Sequence, residues 1–194
     1  MHLLKSCKPS CYVFFAALFF FWSSPYIAYG TEFSAEVNQV EIVQQGDSYL
    51  LSAGIIYHLS DKAKSALQNG VPLFWNLHFK IQRQRDWLWD ATLHDNLLRY
   101  RIQYNALLNM YRVRNENNGE FYSFSTLSSA LELMSSVIDF PVIKKTEIDS
   151  EKQYLCLVKV DFDRDTLPLP LRPIAYLDPQ WYLSSNWTLW PLKK

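Results

Sequence analysis

Glycine and cysteine are scarce in this chain: its 194 residues hold five glycines and three cysteines. So few glycines leave no glycine-rich loop to cradle a phosphate. Neither G-x-S-x-G nor H-E-x-x-H occurs, so the local signatures of a nucleophile elbow and a zinc protease are missing. Cys7 and Cys11 precede residue 31 and Cys156 stands alone after it, and one thiol cannot form an intramolecular disulfide. A surplus of charge is lacking too, since 19 basic side chains are balanced by 19 acidic ones. That balance is not the basic excess of a nucleic-acid binder. The longest apolar run, Tyr12 to Trp22, has 11 residues, short of the about 20 that a spanning helix needs.

The N-terminus has the order of a secretory signal peptide. Lys5 and Lys8 supply a positive n-region, Tyr12 to Trp22 the apolar core, and "SSPYIAYG" a polar end with Ala28 and Gly30 at the small-residue positions of a cleavage site. The expectation is an exported protein: residues 1–30 a signal peptide, residues 31–194 a single β-rich domain. An uncleaved anchor is the competing reading, disfavoured by the shortness of the run. Cys7 and Cys11 come before that run, whereas a lipoprotein cysteine would follow it. Residues 31–194 carry 17 basic and 19 acidic side chains, a net charge of −2, and are enough to bury a core without a disulfide. No integral membrane segment is expected after cleavage.

Alternation with period two dominates the rest. Apolar residues take the odd positions from Tyr49 to Leu59 and from Val71 to Ile81, and the even positions from Leu98 to Tyr104 and from Tyr154 to Phe162. Such segments are half-buried strands. The first strand, about Phe33 to Val43, changes phase, which predicts a bulge near Asn38–Gln39. "SDKAKSALQNG" reads as a short helix capped by Ser60 or Asp61 and ended by Gly70. "STLSSALELMSSVIDFP" places Leu127, Ala130, Leu131, Met134 and Ile138 on one helical stripe, with Ser125 or Thr126 as cap and Pro141 as the stop. Asn118-Gly119 signals a tight hairpin turn. The fold class expected is mainly β (α+β): an antiparallel β-sandwich or strongly curved sheet of seven to eight strands with two helices.

Candidate chemistry is thin. Arg83 and Arg85 end one strand, and Arg99 and Arg101 lie on the next. Together they would suit a phosphate or an acidic partner, but a shared core face puts the two pairs on opposite faces unless a bulge near Gln82–Gln84 intervenes. Asp90, His94 and Asp95 lack the convergence of a zinc site. Asp161, Asp163 and Asp165 match the first spacings of a calcium loop, yet Thr166 stands where glycine is required and Arg172 where glutamate is; solvated carboxylates are expected there instead. Cys156 falls on the apolar side of its strand, as a buried and inert thiol. No metal, cofactor or catalytic residue is expected. Trp87 and Trp89, in the polar turn "RDWLWD", are candidates for exposed binding aromatics. The binding candidates are thus Trp87, Trp89, Arg83, Arg85, Arg99 and Arg101.

The C-terminal run "LPLPLRPIAYLDPQWYLSSNWTLW" carries prolines at 168, 170, 173 and 179. It reads as an extended, polyproline-like crossing followed by a last strand from Trp181 to Trp190, with Trp181, Leu183, Trp187 and Leu189 packed on one side.

"YHLSDKAKSALQNGVPL", "IQRQRDWLWD", "RYRIQYNALLNMYRV", "FSTLSSALELM", "LPLPLR" and "WYLSSNWTLW" together resemble a bacterial family of exported proteins catalogued as domain of unknown function 4390. The resemblance implies a secreted or periplasmic protein of a Gram-negative bacterium, with genes near those of a ribosomal RNA methyltransferase and a membrane sensor kinase. It implies no catalytic residues. The expected function is a non-catalytic periplasmic module that binds a periplasmic or membrane protein, such as a sensor kinase. The alternatives are a carrier or sensor of a small apolar or lipidic ligand, and a hydrolase with a distributed triad. Nucleic acid is not an expected partner.

Overall fold

The computed structural model describes residues 33–85 and 90–192, all within the second of the two units, 1–30 and 31–194, into which the chain divides. The predicted leader and the pair Trp87 and Trp89 lie outside the described residues. Among the described residues, two antiparallel sheets hold nine strands. The smaller has the order β1-β2-β7, from β1 (Ala35–Gln45), β2 (Ser48–Tyr57) and β7 (Ser136–Lys144). The larger runs β6-β5-β4-β3-β8-β9, from β3 (Leu73–Arg83), β4 (Ala91–Asn105), β5 (Met110–Asn115), β6 (Phe121–Phe124), β8 (Tyr154–Phe162) and β9 (Thr188–Pro191). Helices α1 (Asp61–Gln68), α2 (Leu127–Ser135) and α3 (Arg172–Leu177) complete the fold. It is mainly β and sandwich-like, with two strands' worth of structure and one helix more than the lower expectation.

The alternating residues meet between the sheets. Tyr49, Leu51, Ala53 and Ile55 of β2 face Leu73, Trp75, Leu77, Phe79 and Ile81 of β3 and the even residues of β8, all buried. Burial of one such large apolar side chain stabilises by about 1.5–3 kcal/mol, so register follows from the core face. Rings lock the layers together: Tyr57 meets Trp75 edge-on at 5.5 Å, and Phe79 meets Phe140 of β7 at 5.1 Å. The phase change in β1 is a bulge at Asn38, between Val37↔Ile55 and Gln39↔Gly54. Asn38 leans over Gly54, where a Cβ would stand 2.5 Å from its Oδ1. Ser60 caps α1 by accepting from Ala63 N at 3.1 Å, and Gly70 takes φ +82° just past its end.

Three expectations need correction. First, α2 ends at Ser135 and the chain continues as β7, so Ile138 is 73% exposed rather than part of the helical stripe. Val137, Val142 and Ile143 suit a strand buried on one side. Pro141 is tolerated because β7 is an edge strand, and a bulge at Asp139 (φ +51°), whose N–H donates to Ser52 Oγ at 3.2 Å, absorbs the extra residues. Second, the hairpin β5–β6 is closed by the four residues 116–119, with Gly119 N donating to Asn115 O at 2.8 Å. Asn117 lengthens the turn by reaching β4, where Oδ1 accepts from Arg99 N at 2.7 Å and Nδ2 donates to Leu97 O at 2.8 Å.

Third, the proline-rich run is not an extended crossing. It forms α3 and then a short 3₁₀ turn, Pro179–Trp181, with Pro173 in the first turn of α3, where a missing N–H costs nothing. The last strand begins only at Thr188. Between Trp181 and Trp187 serine side chains take over the role of a strand: Ser184 Oγ accepts from Phe162 N and Ser185 Oγ from Val160 N, each at 2.8 Å. Trp181 and Leu183 are buried, but Leu189 is exposed, so these residues do not share one packed side.

Candidate functional site

The inner faces are filled, so the chemistry lies on the outer face of the six-stranded sheet. Alternation puts Phe74, Asn76, His78 and Lys80 of β3 outward. Pairing places Arg101 beside Phe74, Arg99 beside Asn76, Leu97 beside His78 and Asp95 beside Lys80 on β4. On the other flank Asp161 and Lys159 of β8 stand beside Asn76 and His78. Beyond β4, Arg114 of β5 lies opposite Arg101, and Phe121 of β6 lies opposite Arg114.

Three aromatic rings on this face carry cations. Arg99 and Arg101 lie 5.0 and 5.9 Å from the Phe74 ring centroid. Lys80 and Lys159 lie 5.1 and 5.9 Å from that of Trp187. Arg112 lies 4.8 Å from that of Phe121. Each such contact contributes about 0.5–1 kcal/mol when exposed. Carboxylates fix the cations in turn: Asp163 holds Arg99 at 2.7 Å, Glu116 holds Arg101 at 3.0 Å, Asp95 holds Lys80 at 3.1 Å and Asp161 holds Lys159 at 3.1 Å. His78 sits among them, 3.9 Å from Asp95, and its partial burial lowers its pKa despite the opposing pull of Asp95 and Asp161.

Of the sequence candidates, Arg99 and Arg101 are on this face and Arg83 and Arg85 are not beside them. Arg83 pairs with Ala91 and Tyr154, far along β3 from Phe74 and Asn76, and belongs to the odd, core-facing set. Arg85 is exposed, and its backbone N–H donates to Asp90 Oδ1 at 3.2 Å. The β3–β4 bulge falls between Ile81 and Gln82, with Leu93 as the extra residue on β4, too far from Arg99 to join the pairs. Trp87 and Trp89 lie outside the described residues. The arginine partners are instead Arg112 and Arg114, whose alternation about buried Val113 marks them in the sequence as an outward pair. Phe74 broke the polar pattern of the outward set on β3 and was the overlooked sign of an aromatic station.

The remaining groups are occupied. Asp90 is the acceptor for Arg85 and Asp95 the partner of Lys80, while His94 donates from Nε2 to Glu147 at 2.6 Å. That bond holds the Glu147 carboxyl below its ordinary range. Asp163 Oδ1 accepts from Asp165 N at 3.1 Å, and Asp165 Oδ1 accepts from Tyr176 OH at 2.7 Å. These aspartates are paired or capping, not merely solvated as expected. Among the described residues no three His, Cys, Asp or Glu side chains are grouped to hold a metal ion. Cys156 is fully buried, and burial pushes its thiol pKa up to about 12. No helix among the described residues is long and apolar enough to cross a membrane.

A second feature is a groove of about 510 Å³ between α1 and α3, lined by Ala66, Val71, Leu171, Ile174 and Trp181 with Lys62 and Asn69 at its polar side. The Trp181 indole N–H is buried and has no acceptor among the described residues.

The chain belongs to the family described as Domain of unknown function (DUF4390), whose family model matches residues 32–191. No curated protein and no solved structure matches it.

Proposed function

We propose that this family member is an exported, periplasmic, non-catalytic module that binds a protein partner with the outer face of its six-stranded sheet. The observation that carries the reading is the row of ring-and-cation stations at Phe74, Trp187 and Phe121. Aromatic residues and arginine are the side chains enriched at the energetic centres of protein interfaces. A sandwich needs only its inner faces buried, so stacked arginines on the open face are not demanded by the core. Export rests on the order of residues 1–30, with two lysines before an apolar core and small residues after it. The partner class is a periplasmic protein or the outer part of a membrane protein such as a sensor kinase. Affinity capture from periplasmic extract with wild type and with Arg101→Glu/Arg112→Glu, both checked for equal melting, tests the reading. A partner held by wild type and released by the variant supports it, and identical partner sets overturn it.

The second reading, a carrier of a small apolar ligand, is favoured by the groove at Ile174 and Trp181, whose free indole N–H would serve a carbonyl or carboxylate acceptor. It places the ligand between helices rather than inside the sandwich. Native mass spectrometry showing a retained small molecule, lost in Ile174→Asp, would support the carrier over the protein-binding module.

A further inference from the structure

We infer that the tip of the β4–β5 hairpin docks on an anionic phospholipid bilayer by inserting Leu107 and Leu108. Leu107 is 97% exposed and Leu108 58%, so neither leucine contributes to the core. The turn that carries them is built from its own polar groups. Asn105 Oδ1 accepts from Leu107 N at 3.1 Å and Leu108 N at 3.2 Å, and Tyr104 OH donates to Asn109 Oδ1 at 2.6 Å. Asn109 takes φ +52°, which closes the turn. Two backbone donors at the apex are thus met inside the turn, which lowers the cost of taking it out of water.

Behind the apex the groups follow the depth order of a bilayer surface. Tyr104 and Tyr111 are paired across the strands with ring centroids 4.9 Å apart, and tyrosines favour the level where hydrocarbon meets headgroups. Next comes the rung of Gln103 and Arg112, then that of Arg101 and Arg114. At about 3.3 Å per residue Arg112 lies roughly 10 Å behind the apex, which matches headgroup phosphates above a shallowly inserted tip. Asp163 pairs Arg99, and Glu116, beyond the far end of β5 from the apex, is shared by Arg101 and Arg114. Arg101, Arg112 and Arg114 still outnumber that one carboxylate, and Arg112 is the arginine nearest the apex. A pocket on a protein would also accept two leucines, but it would not call for the sequence of apolar apex, tyrosine pair and arginine rung. Two leucines alone anchor weakly, so the net positive charge behind them, led by Arg112, is the required second signal.

The test uses the full chain with Cys7→Ser and Cys11→Ser and a nitrobenzoxadiazole dye on Leu107→Cys. Vesicles of phosphatidylglycerol and phosphatidylethanolamine are expected to raise the dye's emission severalfold with a blue shift, and phosphatidylcholine vesicles much less. The same dye on Ile56→Cys, on the outer face of the small sheet, is expected to be unchanged, which separates docking by the tip from binding by residues 1–30. In the unlabelled protein, Leu107→Asn/Leu108→Asn is expected to leave the melt unchanged. No response at position 107, an equal response at 56, or a response that needs protein concentration and not vesicles would overturn the inference.

Discussion

Arg101 and Arg114 stand directly opposite each other on neighbouring strands, and Glu116 serves both, 3.0 Å from Arg101 Nε and 3.9 Å from Arg114 Nε. Like charges placed directly across a sheet repel, so the pair persists because one carboxylate from the following turn neutralises it. Glu116→Gln is therefore expected to lower stability by about 1–2 kcal/mol. The same change made in Arg114→Gln is expected to cost clearly less, because the repulsion has gone. A double-mutant cycle in urea checks this, and equal costs in both backgrounds would dismiss the coupling.

The C-terminal segment is expected to be part of the folding unit. Trp75 donates from its buried indole to Leu183 O at 3.2 Å, and Ser184 and Ser185 supply acceptors to β8. Removing residues 167–194 should abolish the cooperative melt. Ser184→Ala/Ser185→Ala should cost about 1–3 kcal/mol per unsatisfied donor and raise hydrogen exchange at Val160 and Phe162 selectively. A folded truncation, or unchanged exchange, would show that the segment only covers the sheet.

Cys156 is expected to resist alkylation at neutral pH in the folded protein, since the thiolate is the reactive form and burial pushes the thiol pKa up to about 12. Peptide mapping after iodoacetamide treatment should find it modified only when denaturant is present. Rapid labelling of the native protein would mean that the β3–β8–β9 region opens readily.

His78 gives the expected pH response. Its folded pKa is lowered by burial, so between that value and the ordinary one the unfolded chain binds the proton. Stability then rises with pH through this window, is complete above the unfolded value and is reduced below it. His78→Asn should flatten the pH dependence of the urea midpoint just below the ordinary histidine pKa of about 6.5. Glu147, held low by His94, has the opposite kind of cause but acts lower: its contribution is present above the unfolded value and fades as pH falls through the folded one. A midpoint that rises on acidification through the histidine window would contradict the assignment to His78.

Much of the sandwich was legible because period two is a direct imprint of burying one face. Strands β2, β3, β4 and β8, the bulge at Asn38 and the cap at Ser60 follow from local pattern. The end of α2 was not legible, since Leu127 to Ile138 fits a helical stripe and only pairing with β2 turns Val137 onward into strand. The last strand was mistaken because Ser184 and Ser185 satisfy β8 with side chains, which no alternation reports. Parity correctly parted Arg83 from Arg99 and Arg101. Arg112 and Arg114 join Arg101 only when β5 is placed in register beside β4, whereas Phe74 follows from the β3–β4 pairing itself.

Position-specific photocrosslinking in cells tests the binding face most directly. A benzophenone side chain at Leu97 or Arg112 on the outer face of the large sheet is expected to give a discrete adduct with one protein, weakened by Arg101→Glu. The same probe at Val43 or Ile56 on the small sheet is expected to give none. Adducts from the small sheet alone, or none from Leu97 and Arg112 in stably folded protein, would contradict the proposed interface.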